Sequence, residues 1–324
     1  MKIPAWKTMF WLLKREFWEH RGGFFWTPLI SGSVFLALNI MALITGEVLG
    51  NRSNTHFNIA GGLNLSGQMD ADMLGKIGNG LDIAMYVVAG IVLMIMAVIV
   101  FFYTLGSLYD DRRDRSILFW KSLPISNRDT VLSKVISATI VAPAIACLLG
   151  TAAGLVLLLI AAFTASLHGL NLWALLMNAH PLRVAINMIT LIPLYAIWAL
   201  PTVGWLMFCS AWARSKPFLW ALLAPLAAGV VVSWFGLMGL FDLGSGWFWK
   251  NIVGRMLLSL VPGGWIRDAA HLDNESTDPS VILDHIGLAH NYATLASPDL
   301  WIGALAGIVL ISAATWLRRW RDDS

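Results

Sequence analysis

The chain has 324 residues, 58% of them hydrophobic and 13% charged, with a mean hydropathy of +0.70. A soluble domain carries about 25% charged residues, so this composition excludes an ordinary water-soluble globule. The 22 basic and 19 acidic residues nearly balance, which excludes the general basic stripe of a nucleic-acid binder.

In chain order, the first element is an amphipathic helix within residues 1–22. Trp6, Phe10, Leu13 and Phe17 recur at helical spacing and form one apolar stripe, bordered by Lys14, Arg15, Trp11 and Trp18. Such a helix is expected to lie in the membrane interface, basic groups among the headgroups and rings at the boundary. It is either a plain anchor or an elbow that also touches a partner. Charges recur up to Arg21 and no small-residue cleavage site follows convincingly, so a cleaved signal peptide is not expected.

Six apolar runs follow, at about 24–45, 83–106, 135–163, 184–211, 217–241 and 300–317, each free of Asp, Glu, Lys and Arg. Each approaches the ~20 residues that cross a hydrocarbon core about 30 Å thick. The expected fold is all-α: one transmembrane domain over 1–324 with six spans. Sixteen lysines and arginines fall on the side holding both termini and six on the other, which places the termini in the cytoplasm. Cys147 and Cys209 sit inside apolar runs and read as small core residues. Gly150 with Gly154, and Gly303 with Gly307, permit close helix approach and are expected to pack within one subunit. Pro143, Pro193, Pro201 and Pro225 should kink the third, fourth and fifth helices or free their backbone locally.

Between the second and third spans, residues 107–134 are the most informative stretch. Asp110, Asp111, Arg112, Arg113, Asp114 and Arg115 occupy six successive positions, followed by Ile117, Leu118, Phe119, Trp120, Lys121, Leu123 and Pro124. Acids first and apolar groups after fit a short helix that Pro124 stops. Ser126-Asn127-Arg128-Asp129 then reads as a capping box that starts the third span. The mixed surface suits docking into a partner's groove, with Ile117 and Trp120 as anchors and the arginines setting register. The alternative is a helix that floats on headgroups.

On the opposite side, residues 242–297 form a long segment. Its strongly apolar part, 247–261, is interrupted by Lys250 and Arg255 and broken by Pro262-Gly263-Gly264, so it should dip into the interface as a re-entrant hairpin rather than cross. Trp247, Trp249 and Trp265 would anchor it. An ordinary interfacial loop is the other reading. His285 and His290, five residues apart, would point about 140° apart on one helix and are poor co-ligands. His271, Asp273, Glu275 and Asp278 form an acidic cluster that reads as a solvated loop, a weak cation site being the alternative, so no metal site is expected.

The cores lack the charged residues with which ion-driven transporters bind or relay a driving ion. The one Gly-Lys pair, Gly75-Lys76, lacks the upstream glycine of a phosphate-binding loop, so no ATPase is encoded and no catalytic residue is expected. Any energy from ATP must come through another subunit.

The charged segment, the hydrophobic stretch, Leu123-Pro124-Ile125-Ser126 and Lys134 together resemble the cytosolic loop of ABC-2 type permeases, the membrane subunits of type II ABC exporters. The amino-terminal interfacial helix, six spans, long outer segment and arginine-rich tail agree with that architecture. The resemblance implies that Asp110 to Leu123 is a coupling helix inserted into a separate cytoplasmic ATPase subunit, which would bind ATP and Mg. It also implies that two permeases pair around a central path, and that outer helices near 242–297 close the exit. The implied function is export of an amphipathic or apolar solute across a bacterial inner membrane. The different-class alternative is a non-transporting scaffold or immunity protein that recruits a partner through the same loop. The outer segment Gly46 to Asp82, 37 residues long, exceeds what a minimal hairpin needs.

Overall fold

A computed structural model of the chain describes residues 5–53, 71–114, 125–167, 176–239, 244–266 and 279–320. Among them every regular element is helical: α1 (Ala5–Glu19), α2 (Thr27–Ser53), α3 (Ala71–Gly106), α4 (Tyr109–Arg113), α5 (Asn127–Ile136), α6 (Ala142–Leu167), α7 (Pro181–Thr190), α8 (Ile192–Trp212), α9 (Pro217–Leu237), α10 (Ser245–Phe248), α11 (Gly254–Leu258), α12 (Pro279–Ile286), α13 (Leu288–Ala293) and α14 (Pro298–Trp320). One π-helical turn, Gly22–Trp26, leads into α2; others join α5 to α6 at Ser137–Val141 and α10 to α11 at Trp249–Val253. Six helical stretches are long and apolar enough to cross a membrane: Gly22–Leu49, Leu74–Arg113, Asn127–Leu167, Leu176–Trp212, Pro217–Leu237 and Pro298–Trp320. The chain is an integral membrane protein of the helical class.

The expected spans coincide with these stretches, but several helices run well past the apolar cores. The extensions bring Asp82 and Lys134 inside continuous helices, each only 3% exposed. These charges lie just beyond the apolar cores and are paired with protein groups, which offsets their desolvation. The third-span start is capped as its sequence indicates, with the Ser126 Oγ accepting from the Asp129 N–H at 3.0 Å. Pro193 coincides with a break at Leu191 between α7 and α8, the π turn at Ser137–Val141 lies just before Pro143, and Pro201 and Pro225 lie within continuous helices.

Small residues decide where helices touch. A Cβ on Gly150 would come within 2.9 Å of Ala89 Cα, and one on Gly154 within 3.3 Å of Met85, so both seat α6 on α3. A Cβ on Gly204 would meet the Gly307 carbonyl at 2.5 Å, and one on Gly307 would meet Leu200 at 2.5 Å, so α8 and α14 cross backbone to backbone. Both glycine pairs therefore pack within the chain. The main core gathers Val92, Met96 and Val100 of α3, Val131 and Val135 of α5, Val203 and Leu206 of α8, and Ala314 of α14. Cys147 and Cys209 are buried and free. By contrast, Ile30, Val34, Leu38 and Met41 of α2 stand exposed, as suits a lipid-facing ridge.

Candidate functional site

The end of the bundle that carries α4 contains a chain of charged groups contributed by four elements, with a tyrosine hydroxyl from a fifth. Glu16 of α1 is fully buried and pairs with its neighbour Arg15. Its Oε1 also lies 3.4 Å from Lys134 Nζ of α5, and its Oε2 accepts a hydrogen bond from the Tyr103 hydroxyl of α3 at 2.8 Å. Lys134 reaches on to Asp111 of α4 at 3.6 Å, and Asp111 accepts from Arg318 Nη1 of α14 at 3.0 Å. Lys134 and Arg318 are each about 4% exposed or less, so these are interior ion pairs rather than surface ones.

Burial opposes the charge of Glu16. Lys134 and Arg15, with the Tyr103 hydroxyl, outweigh it and hold the carboxyl below its ordinary range. His20 adds an aromatic wall: its ring meets Tyr103 edge-on at 4.7 Å and stacks on Phe24.

A second clamp joins α4 to the end of α8. The last carbonyls of a helix lack intrahelical donors. Arg112 supplies them, its Nη2 donating to the carbonyls of Ser210 at 2.5 Å and Ala213 at 3.1 Å. In return the Ser210 Oγ accepts from the backbone N–H groups of Leu108 at 3.0 Å and Tyr109 at 2.9 Å. The start of the loop is thus tied by charge to α1, α5 and α14, and by hydrogen bonds to α8.

The six successive charged residues that look equivalent in sequence are therefore divided. Asp111 and Arg112 turn inward onto the protein's own helices, while Asp110, Arg113 and Asp114 are exposed, the last two paired at 3.3 Å. Arg115, Ile117, Leu118, Trp120, Lys121 and Leu123 lie outside the described residues, as does the acidic cluster from His271 to Asp278. In α1 the stripe expected to define the helix is not its buried face. Trp6 and Phe10 are exposed, Leu13 and Phe17 are half-buried, and the inward side carries Leu12 and Glu16, one turn apart. Lys14 lies over the Trp11 ring at 5.0 Å, as headgroup-level side chains do. Glu16 escapes sequence reading because an acid beside Arg15 on an amphipathic helix looks solvated; only its partners from α3 and α5 make it interior.

At the opposite end, residues 245–266 form a bent helix and turn that lean into the bundle. The Thr202 hydroxyl of α8 donates to the Arg255 carbonyl at 2.8 Å and accepts from the Ser259 N–H at 3.0 Å, while the Tyr195 hydroxyl donates to the Leu260 carbonyl at 2.9 Å. Trp249 packs on Gly229 of α9 and donates to the Ser233 hydroxyl at 2.8 Å. Trp265 donates to Asn291 of α13 at 2.6 Å, Pro262 is half-buried in the turn between them, and Trp247 is exposed. Thr202, Trp198 and Tyr195, which receive this segment, look like ordinary span residues in the sequence.

Among the described residues no group of three or more His, Cys, Asp or Glu could hold a metal ion. No protein-family model, no curated protein and no solved structure matches the chain.

Proposed function

We propose that this chain is the membrane-spanning subunit of an ATP-driven exporter of the ABC-2 permease type, set in a bacterial inner membrane with both termini in the cytoplasm. A separate cytoplasmic ATPase binds ATP and Mg and docks on the loop that α4 opens. A second permease copy completes the path for an amphipathic solute. The observation that supports this reading most is the double tether of α4. Through Asp111 it is bound to Lys134 at the start of the third span and Arg318 at the end of the sixth, and through Arg112 to the end of the fourth. A displacement of the loop by a partner is delivered to three spans at once. Elements packed this closely move as units rather than deforming continuously.

The test is reconstitution with the candidate ATPase. The intact chain is expected to co-purify with it, and Ile117→Asp with Trp120→Asp to abolish that association. In liposomes, ATP hydrolysis should accompany solute efflux. Hydrolysis with no efflux of any candidate would move the reading to a scaffold that only recruits the partner. Labelling of a cysteine at position 120 exclusively from outside would overturn the orientation and the docking scheme with it.

A further inference from the structure

Arg255 is the charged residue of the segment 245–266 that reaches furthest between the spans. Its guanidinium lies 3.6 Å above the Trp198 ring of α8, and the missing side chain of Gly303 in α14 leaves room for it, since a Cβ there would stand 2.2 Å from Nη2. Counting 1.5 Å per residue, Trp198 lies roughly 18 Å from the Ser210 end of α8 and Gly303 roughly 22 Å from the Arg318 level of α14. A hydrocarbon core is about 30 Å thick, so the guanidinium sits in the half of the bundle remote from α4.

A charge at that depth is expensive unless it is paired. Among the described residues no acid lies within ion-pair distance of Arg255, although the charge of Asp299 acts on it from further off; its one side-chain hydrogen bond is the long contact from Nη2 to the Asp299 carbonyl at 3.5 Å. Its Nη1 is buried without a hydrogen-bond acceptor, and so is the indole Nε1 of Trp198 beneath it. Two neighbouring donors thus lack acceptors, and the cation among them touches a ring face and a glycine rather than the carboxylate of Asp299. Buried donors in native proteins are nearly always satisfied, so a pair of orphans at one place marks a missing acceptor. Within one turn of Gly303, α14 also exposes Trp301, Ile302 and Leu305, an apolar surface for a hydrocarbon chain.

We propose that Arg255 anchors a binding site for an anionic amphiphile, whose phosphate or carboxylate pairs with the guanidinium while its apolar chain lies along α14. The forked donors of arginine suit an oxyanion, and a charge-assisted pair there replaces the acceptor that the protein lacks. The proposal depends on the exporter reading only where it makes this ligand the cargo, narrowing the solute class to anions; the site itself stands on Arg255, Trp198 and Gly303.

The test uses the full chain in a neutral detergent, without ATP or a partner, so its result is separate from that of the export assay. Thermal unfolding is followed while decyl phosphate, decanol or inorganic phosphate is added. Decyl phosphate is expected to raise the midpoint saturably, whereas decanol and inorganic phosphate leave it unchanged. Arg255→Gln should require about tenfold more decyl phosphate for the same rise, the scale of one lost charged hydrogen bond. Arg255→Lys should fall between the two, and Gly303→Ala, which keeps the charge but fills its seat, should weaken the response as well. Should Arg255→Gln fail to fold, the lysine and Gly303 variants carry the test. Equal titration of all variants, or an equal response to decanol, overturns the proposal. A shift with inorganic phosphate alone that matches decyl phosphate overturns the amphiphile and leaves a free-anion site.

Discussion

At the α4 end, Arg15, Glu16, Asp111, Lys134 and Arg318 carry formal charge inside the protein, each acid facing at least two cations. At the opposite end the contacts are mostly neutral: Thr202 and Tyr195 to backbone groups, Trp249 to Ser233, Trp265 to Asn291, with one buried acid, Asp82, held by the backbone N–H and ring of His180. There the cation that leans between the spans, Arg255, has no acid within ion-pair distance among the described residues, only the more distant charge of Asp299. The two chemistries differ in what they cost to break. Removing one member of an interior ion pair strands the other and costs about 3–5 kcal/mol, whereas a hydrogen bond between membrane helices is worth about 0.6 kcal/mol on average. The α4 end is consequently built to hold its geometry. The other end is held largely by bonds that are cheaper to exchange.

Lys134→Met should break this contrast most sharply. It removes the cation that Glu16 and Asp111 share, and is expected to cost about 3 kcal/mol in detergent unfolding. The double variant with Glu16→Gln should recover a large part of that loss, because no uncompensated carboxylate remains. A Lys134→Met protein as stable as the parent would mean that the charges at this end are effectively solvated.

A smaller effect is expected from Thr202→Val, which leaves the Ser259 N–H without its hydroxyl acceptor and takes one of two hydroxyl donors from the Arg255 carbonyl, the Ser259 hydroxyl being the other. A loss of about 1 kcal/mol is expected, with faster hydrogen exchange confined to residues 254–260. If it destabilised as much as Lys134→Met, the two ends would not differ in kind.

The smallest and most specific effect is on pH dependence. The Glu16 carboxyl is held below its ordinary value of 4.5, so its native interactions favour the ionised form. That contribution is complete above the unfolded value and fades as pH falls through the lower folded one. The stability advantage of the parent over Glu16→Gln should therefore be constant above pH 5 and shrink in more acidic solution. An advantage that instead grew on acidification would reverse the assigned direction.

Much of the architecture was legible before any coordinates. The six crossings follow from runs of apolar residues, and the third-span cap follows from Ser126 and Asp129. The inward role of Gly150, Gly154 and Gly307 follows from their lack of a side chain. The sites were much less legible. Asp110 through Arg115 look alike in one dimension, and only the approach of α8 and α14 separates Asp111 and Arg112 from their exposed neighbours. The exposed stripe of Trp6 and Phe10 likewise leaves the interior side of α1 unmarked in the sequence. In water an apolar stripe marks the buried face, but beside a membrane lipid accepts it and the protein's own interior can take the polar side instead.

By itself, then, the sequence determined that this chain lives in lipid, how many times it crosses, and where its helices begin, because those outcomes depend on local hydrophobicity and backbone chemistry. Only the tertiary structure decided that Glu16 is interior, that Asp111 belongs to Arg318 some 207 residues away, and that Arg255 rests on the Trp198 ring. Whether a charge is paired, solvated or left open depends on which elements arrive beside it, and that is a property of packing that no local stretch of residues contains.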